Sequence, residues 1–355
     1  MQLNPSKLDA HLHKGLGSLY TLHGDEPLLI LEAQDAIRAA ARSRGFTERS
    51  SHTVSGAYFD WSEILAAAGS VSLFADKQIL EVSIPTGKPG KEGGVALQRL
   101  AKQTLGSDSI LTMVTLPRLD KTTKGSNWFA ALEAGMTLEV ASVDRSALPQ
   151  WIAQRMAAQG QRVATGIEGQ QTLQFFTDQV EGNLLAAHQE IQKLALLFAP
   201  GELSQSQIES AVQNVARYDV FKLTESVLSG QYERMLRMLS GLQAEDCSAV
   251  LVHYTLAEDI RALKRVKAAI SQGRPLPVAL REQHIWGTKE RLFERVLPRL
   301  SDAALAALLQ SAHQVDGIVK GLKQPDWPDD PWQALQRLAF DLCRQCAPAM
   351  GKGQR

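Results

Sequence analysis

Residues 19–42, LYTLHGDEPLLILEAQDAIRAAAR, decide the fold. Positions 19–23 are a short, mostly apolar run that reads as a buried strand. Gly24-Asp25-Glu26-Pro27 is the turn after it. From 28 to 42 the apolar positions Leu28, Leu31, Ala36, Ile37 and Ala40 fall at helical spacing. A strand, a tight turn and an amphipathic helix open a βα unit, and the alternation continues downstream. The pattern predicts strands over 78–82, 110–115 and 136–140. It predicts helices over 61–68, opened by Asp60 as a cap, and over 96–104 and 128–134. The Gly/Pro-rich stretch 85–94, PTGKPGKEGG, reads as a surface loop. Strands alternating with helices imply a parallel sheet covered on both faces.

From Ser146 onward the strand signals fade. Helices are predicted over 148–159 and 170–179. The strongest amphipathic helix covers 183–198, where Leu184, Ala187, Ile191, Leu194 and Leu197 recur at three and four until Pro200-Gly201 stops it. A short helix over 204–214 begins with Ser204 as cap. Further helical periods cover 221–228, 232–242, 249–270, 288–296, 302–319 and 332–346, with breaks at 273–277 and 324–331. Asp329-Asp330-Pro331 reads as the capped start of the last helix, with Trp327 and Trp332 in its packing. The fold class is therefore α/β plus all-α. An α/β domain is expected over 1–143, a small helical domain over 144–212, a larger helical domain over 213–346 and a tail over 347–355.

Composition narrows the function. The 355 residues carry 38 Lys plus Arg against 38 Asp plus Glu, so no net field steers the molecule onto nucleic acid. No apolar run approaches the ~20 residues of a membrane span, and the N-terminus lacks the pattern of a signal peptide. Three cysteines, Cys247, Cys343 and Cys346, fit a reducing cytoplasm better than a disulfide framework. Cys343 and Cys346 form one C-x-x-C, but no second Cys or His pair accompanies it, so packing on an apolar helix is expected rather than a metal site.

An α/β domain followed by a small helical domain resembles the AAA+ ATPase module, which directs attention to phosphate chemistry. A P-loop needs G-x-x-x-x-G-K followed by Ser or Thr after the first strand, where backbone amides cradle phosphate and the hydroxyl meets magnesium. Gly24-Asp25-Glu26-Pro27-Leu28-Leu29 stands there instead. It has no Lys, its two carboxylates repel phosphate, and Pro27 removes an amide donor. Gly87-Lys88 and Gly90-Lys91 are not followed by Ser or Thr. The strand over 110–115 leads to Leu116-Pro117, with no carboxylate before Asp120. Neither a catalytic residue nor a cofactor or metal ligand is expected from this pattern.

The connection Val71-Ser72-Leu73-Phe74-Ala75-Asp76-Lys77 sets two large apolar residues side by side where a polar link belongs. They either tuck beneath the sheet or form an exposed plug for a partner's pocket. Each side chain is worth about 1.5–3 kcal/mol when fully buried, enough to anchor an interface. Taken with Gly24-Asp25-Glu26-Pro27-Leu28-Leu29 and Glu181-Gly182-Asn183-Leu184, this turn resembles the delta-subunit family of bacterial DNA polymerase III clamp loaders, and the likeness spans essentially the whole chain. The resemblance implies an AAA+-like domain, a lid and a C-terminal collar domain. It implies that Leu73 and Phe74, flanked by Ser72 and Ala75, enter a pocket on the beta sliding clamp, supported by the helix over 61–68, and that the ring opens without ATP hydrolysis by this chain. It also implies gamma/tau and delta-prime partners and primed DNA within the complex. In active AAA+ modules a helix near 183 supplies an Arg to nucleotide; here 183–188 has none, and Asn183 reads as a helix cap.

Three rival classes stay open. Another clamp-loader subunit would show zinc-binding cysteines, a Ser-Arg-Cys motif or an intact P-loop. A nucleotide-dependent enzyme such as a helicase loader would bind ATP. A helical DNA-binding module would use Arg261, Lys264 and Arg265, which share one helix face with Lys267 nearby. Glu258 and Asp259 lie one turn away, so that face also reads as a solvated surface or a collar contact. His284 and Trp286 show no partner in the sequence.

Overall fold

Apolar residues of the N-terminal sheet alternate between two faces, and each face collects its own helices. The computed structural model describes residues 1–56, 59–69, 77–213 and 215–347. It divides into two compact units, Met1–Ala147 and Leu148–Arg355. In the first, five parallel strands run in the order β2-β3-β4-β1-β5: β1 Leu19–Gly24, β2 Glu48–Thr53, β3 Gln78–Ser83, β4 Ile110–Leu116 and β5 Met136–Val140. Leu19, Leu80 and Val114 face helices Trp61–Gly69, Gly90–Thr104 and Asn127–Glu133. Tyr20, Ile79 and Met113 face helices Leu8–Lys14 and Pro27–Arg42. This is the period-two alternation of a sheet buried on both sides.

Two readings of this unit change. β2, ERSSHT, has no apolar pattern to announce it; it is a half-exposed edge strand, where polar residues are tolerated. Its Arg49 reaches across to Glu81 of β3, 2.9 Å away. Glu81 also accepts from Nε and Nη2 of Arg38 at 2.7 and 2.9 Å. The stretch read as a loop to Gly94 ends earlier, because the helix begins at Gly90. A side chain at Gly93 would meet the Trp61 ring: a Cβ there would stand 2.5 Å from it.

The second unit begins with helices Leu148–Ala158, Ile167–Val180, Leu184–Leu197 and Gln205–Ala211, plus a two-stranded parallel ribbon of β6 Gln161–Val163 and β7 Gly201–Leu203. Ser204 caps its helix with a full capping box to Gln207. Then follow Leu223–Leu228, Tyr232–Ala244, Ala249–Ser271, Leu276–Glu282, Thr288–Val296, Asp302–Val319 and Pro331–Cys346. The helix at Leu276 lies partly inside a predicted break, because Pro277 sits in its first turn, where proline is harmless. Met238, Leu256, Leu263, Phe293, Leu335 and Leu342 share one core with Cys343 and Cys346. Burial pushes these two thiols up to about 11 and about 12, so they behave as packing groups. Asp330 caps the last helix through Gln333 N at 2.8 Å, and Arg337 stacks 4.2 Å over Trp327.

Among the described residues no helix is long and apolar enough to cross a membrane.

Candidate functional site

The carboxyl ends of β1, β4 and β5 form the edge at which a doubly covered parallel sheet presents its ligand crevice. Gly24 pairs with Val140, and a Cβ at Gly24 would lie 1.8 Å from the Val140 carbonyl oxygen. That glycine thus serves strand packing. Glu26 holds the N-cap position and Pro27 the first helical turn. Asp25 pairs with Arg118 at 3.3 Å. Carboxylates here suit the positive end of the helix dipole while opposing a phosphate. Asp120 caps the next short helix through Thr123 N at 2.6 Å. Gln34 reaches Thr115 Oγ1 at 2.7 Å, and Lys124 pairs with Glu139 at 2.7 Å. Asp25, Gln34, Asp120 and Lys124 at this edge each have a partner within the chain.

One polar group in this crevice stands apart. His23, at 2% exposure, lies edge-on to Phe129 at 5.5 Å, and its Nδ1 finds no hydrogen-bond partner. Burial lowers its pKa against the opposing pull of Glu139. The sequence alone gave no sign of this buried, neutral imidazole.

Asp60 accepts from Ser62 N at 2.9 Å at the start of the Trp61–Gly69 helix. Gln78 of β3 donates to Ala67 O at 2.7 Å near its end. Ser72, Leu73, Phe74 and Ala75 follow this helix in the chain and lie outside the described residues.

Glu181-Gly182-Asn183 forms a splice within the second unit. Gly182 has φ 78°, and a Cβ there would sit 1.9 Å from the Arg217 carbonyl oxygen. Asn183 accepts from Ala186 N at 3.1 Å, as a cap should, and donates to Val215 O at 3.1 Å. Val215 and Arg217 donate to the carbonyls of Gln179 and Glu181 at 2.8 and 2.9 Å. The buried Glu181 carboxylate meets Arg234 at 2.6 Å, and Arg237 meets Asp178 at 2.9 Å. The motif fastens 215–217 and the Tyr232–Ala244 helix to the preceding helices.

The basic face of the Ala249–Ser271 helix is largely satisfied internally. Arg261 and Arg265 share Glu258, and burial, which would raise that carboxyl, is outweighed by the two guanidinium groups. Lys264 pairs with Asp302 at 3.0 Å, and Lys267 donates to Leu297 O at 3.1 Å. Asp259, read as a partner for this face, instead turns inward to Thr224 and Lys289. Burial raises its carboxyl pKa against the pull of Lys289. Above it opens a cavity of about 380 Å³ walled by Phe221, Tyr254 and Trp286. Trp286 also packs edge-on to His284 at 5.6 Å, so these two do have partners, in each other. Three elements far apart in sequence converge here, which no local motif announces.

A parallel sheet in the order 2-3-4-1-5, a turn after β1 that carries two carboxylates and no Lys, and a long helical C-terminal region define an AAA+-like fold. The family model for the DNA polymerase III delta subunit matches residues 20–140. The chain is 30% identical to the Escherichia coli DNA polymerase III subunit delta, over 97% of each chain. It is 27% identical to the Haemophilus influenzae protein of the same name, covering 96% of this chain and 98% of that one. The chain belongs to the DNA polymerase III delta subunit family. In fold it is similar to the Bacillus subtilis DNA clamp loader delta protein, with a TM-score of 0.51 at 16% identity, covering 96% and 99% of the two chains.

Proposed function

We propose that this chain is the clamp-opening subunit of a DNA polymerase III clamp loader, working in the cytoplasm. In this reading Leu73 and Phe74, flanked by Ser72 and Ala75, plug a hydrophobic pocket on the beta sliding clamp. Preference for the opened ring over the closed one does the mechanical work. The carrying observation is the near full-length relationship to DNA polymerase III delta subunits. The turn after β1, with two carboxylates and no Lys, supports a role that leaves ATP hydrolysis to gamma/tau partners. The three-domain division, with a lid over 144–212 and a collar over 213–346 for gamma/tau and delta-prime, belongs to the same proposal, as does primed DNA held within the complex. Arg261, Lys264 and Arg265 are assigned to the collar surface rather than to DNA, because each already has an acidic or polar partner.

The test is binding of the purified chain to the cognate sliding clamp, compared with Leu73→Ala/Phe74→Ala. Loss of two side chains worth about 1.5–3 kcal/mol each predicts at least a hundredfold weaker binding with an unchanged melting temperature. Equal binding by both proteins would remove the plug from the mechanism.

A further inference from the structure

Among the described residues four phenylalanine, tyrosine or tryptophan side chains are exposed: Phe221, Tyr254, Trp286 and Phe340. The first three come from three separate elements of the second unit and wall one cavity of about 380 Å³. Phe221 lies in the short turn Val220–Lys222, Tyr254 on the Ala249–Ser271 helix, and Trp286 between the Leu276–Glu282 and Thr288–Val296 helices. A single exposed ring needs no explanation, but three around one hollow forgo the burial that drives folding and mark a binding site. The segment carrying Trp286 adds backbone strain. His284 takes a left-handed φ of 56°, disfavoured for a residue with a Cβ, and Gly287 one of 68°. The tryptophan between them stays 62% exposed, edge-on to His284. Nothing in the core gains from that arrangement.

The polar groups beside the rings set the sign of the ligand. Lys289 is the one cation in the lining, and it turns to the buried Asp259. Glu258 is shared by Arg261 and Arg265, which stand outside the lining. Glu225 is half-buried in the cavity wall and meets no cation among the described residues. An entering group thus finds three aromatic rings and a carboxylate without a counter-charge. Aromatic rings attract cations through their quadrupole, tryptophan most strongly. A phosphate would face Glu225 and Glu258 with the only lysine already held. A neutral apolar group would cover Glu225 and leave it desolvated and unpaired. An organic cation satisfies the rings and the carboxylate together.

We propose that this cavity binds an alkylammonium or guanidinium group, held against Phe221, Tyr254 and Trp286 and paired with Glu225. Two sources carry that chemistry, the end of a lysine or arginine side chain on a protein partner and a free polyamine. The site goes beyond the clamp-binding reading and does not depend on Leu73 or Phe74.

Calorimetric titration of the full-length chain with butylammonium, N-acetylarginine amide and spermidine tests it. Wild type is compared with Glu225→Gln, Trp286→Leu and Trp286→Phe, each checked for an unaltered melting temperature. Saturable binding of the cations is expected, weakened about tenfold in Glu225→Gln and in Trp286→Leu. Trp286→Phe keeps a ring and should lose less than Trp286→Leu. Spermidine binding well above butylammonium upholds the site and identifies a free polyamine as its ligand. Capped arginine binding as well as spermidine upholds it and identifies a partner's side chain. If no cation binds wild type, or if Glu225→Gln and Trp286→Leu bind like wild type, the proposal is overturned. If a short thymidine oligonucleotide binds and the cations do not displace it, the cavity stacks bases and the proposal is wrong. None of these outcomes alters the Leu73/Phe74 comparison, so the two readings stand or fall separately.

Discussion

His23 and His253 each carry a proton equilibrium that the fold must hold off. His23 closes β1 with an unpartnered Nδ1. His253 lies within the helical core with Nε2 2.8 Å from the Ala312 carbonyl oxygen, the neutral tautomer donating. In both, burial lowers the pKa below the ordinary 6.5, outweighing Glu139 in one case and the Ala312 contact and Asp316 in the other. The unfolded chain therefore binds protons that the folded chain refuses. Stability rises with pH through this window and is lost as pH falls below about 6.5. The carboxyls of Glu81 and Glu139, held low by Arg38 and Lys124, add their own loss only in a more acid range. Urea midpoints measured from pH 8 to pH 5 should fall toward the acid end, and His23→Leu should flatten part of that slope. A midpoint independent of pH across this range would contradict the assignment.

Among elements, the Glu181-Gly182-Asn183 splice has the clearest energetic consequence. Glu181 and Arg234 are both buried, so removing the carboxylate strands a guanidinium in a low-dielectric setting. Glu181→Gln is expected to cost about 3–5 kcal/mol. Glu181→Met/Arg234→Met should recover part of it, since a matched apolar pair leaves no buried charge unpaired. Chemical denaturation of the three variants checks this, and near-additive losses would argue that the two residues act separately. This splice also marks what a sequence can disclose. Asn183, Ser204 and Asp330 were legible as caps because capping is local: one side chain and an amide two or three residues on. β2 was not legible, because an edge strand paired along one side needs no apolar period. The start of the Gly90–Thr104 helix was hidden by its glycines; for Gly93 the reason, the Trp61 ring, lies some thirty positions upstream. Arg234 likewise sits 53 residues from Glu181, and nothing near either announces the pair. The departure from a P-loop was legible in the turn itself; the surfaces available to partners had to be assembled from distant segments.

For the molecule as a whole, charge decides how it meets DNA. The chain's 38 basic and 38 acidic residues cancel, and its most basic helix face is neutralised from within by Glu258 and Asp302. Non-specific DNA affinity comes from releasing counterions, with a slope of about −0.9 in log K against log salt for each phosphate neutralised. With Arg261, Lys264 and Arg265 already paired, this face can neutralise few phosphates at once. The isolated chain should therefore bind duplex DNA only weakly near physiological salt, with a shallow slope equivalent to about three contacts or fewer. Titration of labelled duplex at several salt concentrations measures it. Micromolar or tighter binding with a steep slope would mean that Arg261, Lys264 and Arg265 exchange their internal partners for phosphates, and would favour a helical DNA-binding module. A weak, shallow response places any DNA contact in the assembled complex, where other subunits contribute the missing charge. Recognition by the isolated chain is then left to its apolar features, where burial of area rather than field supplies the affinity.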